Sequence, residues 1–158
     1  HYIDSTNRVL KKSDIALRIR ENNDFVLTLK TPLSEGLLEK NQNITWREYS
    51  DLEDNGIFPQ GDIKNFLEIC GFNTRELKVL ASLKTSRIEL GLDDGVLCLD
   101  ENIYGQNNSI TDYELEVEST SMEKAEETAK KILKEVGIEN FKFNTHSKQA
   151  RAISAIKL

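Results

Sequence analysis

The chain has little that would staple or stiffen its backbone: two cysteines and two prolines in 158 residues. Cys70 and Cys98 sit in apolar surroundings with no CxxC or Cys/His spacing, which excludes a disulfide framework and a structural zinc site. Both are expected to be reduced core thiols, the usual state of free cysteine in a cytoplasmic protein. No apolar run approaches the ~20 residues of a membrane-spanning helix and no signal peptide is visible, so no membrane partner is expected. A surplus of Lys and Arg is also missing. With 21 basic and 27 acidic residues the net charge is −6, which argues against a nucleic-acid partner, and any polyanion must be bound locally. The two histidines, His1 and His146, have no partner at ligand spacing, and neither is expected to be catalytic. No repeat or linker divides the sequence, and the length suits one domain, residues 1–158, with a sizeable core.

What the sequence does have is a set of short strands with charge on alternate residues: Leu17-Arg18-Ile19-Arg20, Leu27-Thr28-Leu29-Lys30, Arg87-Ile88-Glu89-Leu90 and Tyr113-Glu114-Leu115-Glu116-Val117-Glu118. Successive strand side chains point to opposite sides, so each run has one apolar and one charged face. Arg18 and Arg20 would stand roughly 7 Å apart, a repulsion of about 2.4 kcal/mol at an effective dielectric near 20. Water removes that cost on an open surface. Inside a closed barrel a polyanion must offset it, and the row Glu114, Glu116 and Glu118 would call for cations in the same way. Basic and acidic strands together suggest a phosphate chain bridged by metal.

Alternation predicts a hairpin of Asp14–Arg20 and Asp24–Lys30, further strands at Leu83–Leu92, Val96–Asp100 and Asp112–Glu118, and others at Phe141–Phe143 and Ile153–Leu158. Pro32–Asn43 reads as a polar connection. Thr45 and Glu48 have the spacing of a capping box. Asp62 is placed as the cap of a helix that buries Ile63, Phe66, Leu67 and Cys70 and stops at Gly71. The longest helix opens at Thr120–Glu123, with Met122, Ala125, Ala129, Ile132, Leu133 and Val136 on its core side and Glu126-Glu127 and Lys130-Lys131 on a solvated face. Strands in hairpins with helices between groups of strands give an α+β class with a mainly antiparallel sheet.

Taken in order, Tyr2-Ile3-Asp4-Ser5, Leu17-Arg18-Ile19-Arg20, Leu27-Thr28-Leu29-Lys30, Leu37-Leu38-Glu39, Ser86-Arg87-Ile88-Glu89, Leu97-Cys98-Leu99-Asp100, Glu114-Leu115-Glu116 and Ser147-Lys148 resemble the CYTH superfamily of triphosphate tunnel metalloenzymes, above all its small Gram-positive bacterial members. The resemblance implies an antiparallel eight-stranded β-barrel with surrounding helices, forming a tunnel for a triphosphate and a divalent metal. Matched residue by residue, it implies that Arg18, Arg20, Lys30, Arg87 and Lys148 grip phosphate oxygens with help from Arg151, and that Lys30 and Arg87 stabilise charge during catalysis. Asp100, Glu114 and Glu116 would hold Mg2+ or Mn2+, with Glu118 an alternative member of the acidic pair and Glu39 a further metal-side candidate. The family's first-strand ExExK motif has no match at the start of this sequence: with the motif upstream of His1 the resemblance implies an incomplete catalytic site here, and without it the resemblance implies a binding module in place of an enzyme.

The activity implied is metal-dependent hydrolysis of a small-molecule triphosphate. Inorganic triphosphate is the expected substrate, since the recognisable residues address phosphates and no aromatic cluster marks a base pocket; thiamine and nucleoside triphosphates are the alternatives. A class IV adenylate cyclase, or a non-catalytic module that binds polyphosphate or a triphosphorylated ligand, would draw on the same residues. The sequence does not set the oligomeric state.

Overall fold

In a computed structural model, residues 1–32 and 37–156 are described, and they form two compact units, His1–Ser82 and Leu83–Leu158. The first unit holds β1 (Tyr2–Asp4), α1 (Val9–Lys12), β2 (Ala16–Glu21), β3 (Phe25–Pro32), β4 (Leu37–Ile44), α2 (Trp46–Asn55), α3 (Asp62–Ile69) and β5 (Lys78–Ala81). Its strands form one antiparallel sheet in the order β4-β3-β2-β1-β5. Strand alternation dictates the layering. Leu17, Ile19, Leu27 and Leu29 point to one side and join Ile3, Leu52, Ile63 and Leu67 in a fully buried cluster. Each such aliphatic side chain contributes roughly 1.5–3 kcal/mol through burial. The other side carries Arg18 opposite Thr28, Thr28 opposite Asn41, and Lys30 opposite Glu39.

Local chemistry starts each helix. The Thr45/Glu48 capping box is present, with the Glu48 backbone N–H donating to Thr45 Oγ1 at 3.2 Å and the Thr45 N–H donating to Glu48 Oε2 at 2.8 Å. At α1 the cap position falls on Arg8, in the left-handed region at φ 58°, and its side chain makes no capping bond. The buried Asp4 carboxylate serves instead, accepting the Leu10 N–H at 3.0 Å and the Lys11 N–H at 3.1 Å. At α3 the cap is Gly61 rather than Asp62, which occupies the first turn where its charge suits the helix dipole.

The second unit holds β6 (Leu83–Leu92), β7 (Gly95–Tyr104), β8 (Ile110–Ser119), α4 (Met122–Glu135) and α5 (Lys148–Ser154). The strands form an antiparallel meander, β6-β7-β8, and α4 packs against β8. The architecture is therefore α+β with antiparallel sheets. Eight strands are present, paired as sheets of five and three; among the described residues the pairing shows no closed eight-stranded barrel.

Several sequence expectations are corrected. Residues 37–43, read as part of a polar connection, lie in β4: Glu39 and Asn41 face the polar side of the sheet, Lys40 and Gln42 on the other side bond Asp62, Gln60 and Ile63 around the start of α3, and pairing with β3 overrides weak strand propensity. Phe141–Phe143 is not a strand; the two rings meet edge to face at 5.7 Å in an irregular segment. Ile153 lies in α5, because Ser147 caps a helix through the Ala150 N–H at 3.2 Å and Ala150 and Ala152 favour it. Leu158 lies outside the described residues. Cys70 is exposed at the end of α3, past its last buried turn, whereas Cys98 is buried as expected. Met122 is 84% exposed and Val136 is exposed as well, since both ends of α4 project beyond the turns that keep Ala125, Ala129, Ile132 and Leu133 half-buried.

The β6–β7 turn sets the register of the second sheet at Gly95, whose φ is 144° and where a Cβ would lie 1.9 Å from the Glu118 carbonyl oxygen. Gly95→Ala is expected to destabilise the protein by about 1–3 kcal/mol through backbone strain. Urea denaturation of the purified variant checks this; an unchanged midpoint would refute it.

Candidate active site

The three strands of the second unit bring ionisable groups into facing rows. Arg87, Asp100 and Glu114 are direct cross-strand neighbours; Glu89, Cys98 and Glu116 form the next row, and Thr85, Asn102 and Asp112 the row on the other side. Residues two apart share a face, so all nine point the same way. Helix α5 adds Lys148 and Arg151 to this face.

Asp100 is the centre of the arrangement, with a side chain that is fully buried. Arg87 grips it with two parallel bonds, Nε to Oδ1 at 2.7 Å and Nη2 to Oδ2 at 2.7 Å, and Nη2 also donates to Glu116 Oε2 at 2.6 Å. The Lys148 ammonium lies 2.7 Å from Asp100 Oδ2 and 3.1 Å from Glu114 Oε2, and also contacts Glu116 Oε1. Arg151 donates from Nη2 to Glu114 Oε2 at 2.8 Å, and Asn144 donates to Glu114 Oε1 at 3.1 Å.

Charge follows from this geometry. Burial would push the Asp100 carboxyl up, but Arg87 and Lys148 outweigh it and hold the group below the ordinary carboxylate range. Burial acts the same way on Glu114, where Arg151 and Lys148 reverse the effect. Lys148 is desolvated, yet Asp100, Glu116 and Glu114 keep its ammonium charged beyond the ordinary lysine range. Arg87 is raised too, chiefly by its bonds to Asp100.

Among the described residues, one oxygen from each of Asp100, Glu114 and Glu116 can be chosen so that all three lie within 4.8 Å of one another. Three carboxylates are the hard oxygen donors that Mg2+ and Mn2+ prefer, so the donor set fits the metal that the sequence implied. Glu118 stands apart: its side chain is 67% exposed and 3.8 Å from Arg87 Nη1.

The first unit carries the remaining candidates on the polar side of its sheet. Lys30 Nζ pairs with Glu39 Oε2 at 2.9 Å, and that bond holds the Glu39 carboxyl below its ordinary value. Arg18 is half-buried, and its Nε is buried without a hydrogen-bond partner among the described residues. Arg20 is exposed. Neither histidine belongs to the acidic cluster: His1 Nε2 meets Glu21 Oε2 at 2.9 Å, and His146 Nδ1 meets Thr145 Oγ1 at 2.9 Å.

Sequence reasoning missed Asn102, Tyr104, Asp112 and Asn144. A signal existed for Asp112, since the alternation of Glu114, Glu116 and Glu118 extends one step back to it.

A buried carboxylate gripped by arginine and lysine stands beside two further acids on an antiparallel sheet, a donor set that could hold a metal ion. The CYTH domain family model matches residues 1–150, and the chain belongs to that family. It is 34% identical over 139 residues, 87% of this chain and 70% of the relative, to the Bacillus subtilis (strain 168) protein named "Putative triphosphatase YjbK". It is also similar to the crystal structure of a "putative adenylate cyclase" from Bacillus halodurans, with 38% identity and a TM-score of 0.79 over 96% of this chain and 79% of that one. No helix of the described residues is long and apolar enough to cross a membrane.

The depressed carboxyls set a pH dependence. Asp100 and Glu114 bind protons more weakly folded than unfolded, so stability rises with pH in the carboxylate range. Their contribution is complete above about pH 5 and is lost as pH falls through their lower folded values. Urea midpoints of the metal-free protein are expected to drop across that range. Asp100→Asn should be about 3–5 kcal/mol less stable at neutral pH, because Arg87 and Lys148 lose their buried partner, and should show a shallower drop. Parallel pH profiles for the two proteins would disprove the assignment.

Proposed function

We propose that the protein is a metal-dependent triphosphatase. The observation that carries this reading is the close acidic triad of Asp100, Glu114 and Glu116 set against Arg87 and Lys148. Arg18, Arg20 and Lys30 bind phosphate oxygens in this proposal, and the unpartnered Arg18 Nε supports it, because a buried guanidinium nitrogen is costly to leave unsatisfied. A cytoplasmic location belongs to the same proposal, supported by two free thiols.

Asp100, Glu114 and Glu116 would hold Mg2+ or Mn2+, which when bound neutralises phosphate charge and polarises the phosphoryl group. Arg87 holds Asp100 and Glu116 in place and Lys148 touches all three carboxylates, while Arg87, Lys148 and Arg151 keep Asp100 and Glu114 ionised. The arginines then orient the phosphate chain through paired donors, while Lys30 supplies a point charge that follows the moving oxygens. Water attacks the terminal phosphorus as the bond from that phosphorus to the bridging oxygen breaks; pyrophosphate departs with the bridging oxygen, the attacked phosphorus becomes orthophosphate, and the proton of the attacking water passes to solvent. Glu118 and Glu39 have supporting places at the margin of the metal and phosphate sites.

Inorganic triphosphate is the substrate proposed, because Arg18, Arg20 and Lys30 address phosphate and no aromatic cluster in the sequence marks a base pocket. The likeness to a structure described as an adenylate cyclase favours a second reading, release of pyrophosphate with a cyclic nucleotide. Product analysis after incubation with Mg2+ and either triphosphate or ATP separates them: orthophosphate from triphosphate supports the hydrolase, cyclic AMP from ATP the cyclase, and neither product a binding module.

Two outcomes are expected of variants. Arg20→Ala should raise KM for triphosphate by roughly 10- to 100-fold, the equivalent of losing a charged contact of about 1.5–3 kcal/mol, with unchanged thermal stability. Glu116→Gln should raise the Mg2+ concentration for half-maximal rate far more than Glu118→Gln, since Glu116 belongs to the triad and Glu118 does not. Metal titrations showing equal effects would shift the acidic register by one pair.

A further inference from the structure

The row beside the acidic triad has a task of its own. Asp112 precedes Glu114 by two residues on β8, so both project from the same face. Its carboxylate is engaged on both oxygens: Oδ1 accepts from Asn102 Nδ2 at 3.0 Å, and Oδ2 accepts from the Tyr104 hydroxyl at 2.7 Å. Asn102 is in turn fixed by Thr85, whose hydroxyl donates to Asn102 Oδ1 at 2.7 Å. Asn102 and Tyr104 are buried, and buried amide and phenol groups keep such bonds because leaving them unmade is costly. The result is a cradle running from β6 through β7 to β8 that holds one carboxylate in one orientation.

That carboxylate faces Arg151. The Arg151 Nε lies 3.1 Å from Asp112 Oδ2, an ion-pair contact outside hydrogen-bond angles. Nη1 donates to the His146 carbonyl oxygen at 3.0 Å, and Nη2 to Glu114 Oε2 at 2.8 Å. A guanidinium is a rigid planar fork, so three neighbours on three sides fix its direction. In this orientation one nitrogen alone hydrogen-bonds Glu114. Without Asp112 the fork would be free to turn and grip Glu114 with two parallel bonds, the geometry arginine and carboxylate favour, and so compete with a cation for the same oxygens.

We propose that Asp112 is a positioning residue: it aligns Arg151 so that the guanidinium touches Glu114 through one nitrogen, which keeps Glu114 available to a divalent cation. The inference rests on the metal-site reading above and adds a residue outside the triad that tunes it. The competing account makes Asp112 a fourth metal ligand in the acidic row. The two differ in how Asp112 depends on Arg151.

The test is a titration of the full chain with Mn2+, followed by electron paramagnetic resonance of the free ion, which needs no substrate or turnover. Asp112→Asn is expected to weaken Mn2+ binding about tenfold, in the range typical of groups that orient metal ligands. Added to Arg151→Met, the same substitution should have no effect, because no guanidinium remains to turn onto Glu114. Tyr104→Phe should follow the same pattern more weakly, which keeps the test available if Asp112→Asn fails to fold. A tenfold loss that persists in the Arg151→Met background would overturn the inference and make Asp112 a ligand. Wild-type affinity in Asp112→Asn would also overturn it while leaving the metal site intact, whereas a wild-type protein that binds no Mn2+ would remove the metal-site reading and this inference together.

Discussion

The ion pairing of Asp100 is the interaction on which the second unit depends. A carboxylate with no exposed side-chain surface would ordinarily take up a proton, because desolvation disfavours its charged form. Here Arg87 from the neighbouring strand and Lys148 from α5 surround it within 2.7 Å, so the charge survives burial. The same two cations reach Glu116, and Lys148 also reaches Glu114. The ion pairs that surround Asp100 therefore also hold α5 against the sheet.

In the first unit an apolar constraint acts in the same geometric language. Period-two alternation sends Leu17, Ile19, Leu27 and Leu29 into the core, and the intervening positions leave Arg18, Thr28 and Lys30 on the far side. Thr28 shows how tightly that polar side is organised: it is fully buried, and its hydroxyl donates to Asn41 Oδ1 at 2.6 Å. A substitution at Thr28 would leave the apolar cluster untouched but would cost stability through the buried bond to Asn41, whereas exposed Arg20 carries no such burden.

Alternation made β2, β3, β6, β7 and β8 legible, and with them the two faces of each strand. It also placed Asp100, Glu114 and Glu116 on strands whose register, invisible in the sequence, brings them side by side. The polar strand β4 was not legible, because it has polar residues on both faces, Glu39 and Asn41 toward the polar side and Lys40 and Gln42 toward α3, so it shows no alternation of its own. Ile153 and Ser154 misled for a related reason: a short run containing apolar residues fits a strand as well as a helix, and the Ser147 cap decides between them. Lys148 and Arg151 were found through the family pattern alone, since no local feature announces that a short helix will meet an acidic row. Met122 and Cys70 show the limit of stripe reasoning, which identifies a helix face and not where the neighbouring element ends.

The distance in sequence between the acidic row and its ammonium partner has a consequence for biosynthesis. Lys148 follows Glu116 by 32 residues, so translation delivers all of β6, β7 and β8 before the cation that neutralises them. Until α5 emerges, Asp100, Glu114 and Glu116 face one another with Arg87 as the cation already made on the same sheet. Arg87 already pairs with Asp100 within the sheet, whereas Lys148 reaches the acidic row only by closing a loop of 32 residues, so part of its electrostatic gain offsets the entropy of that closure.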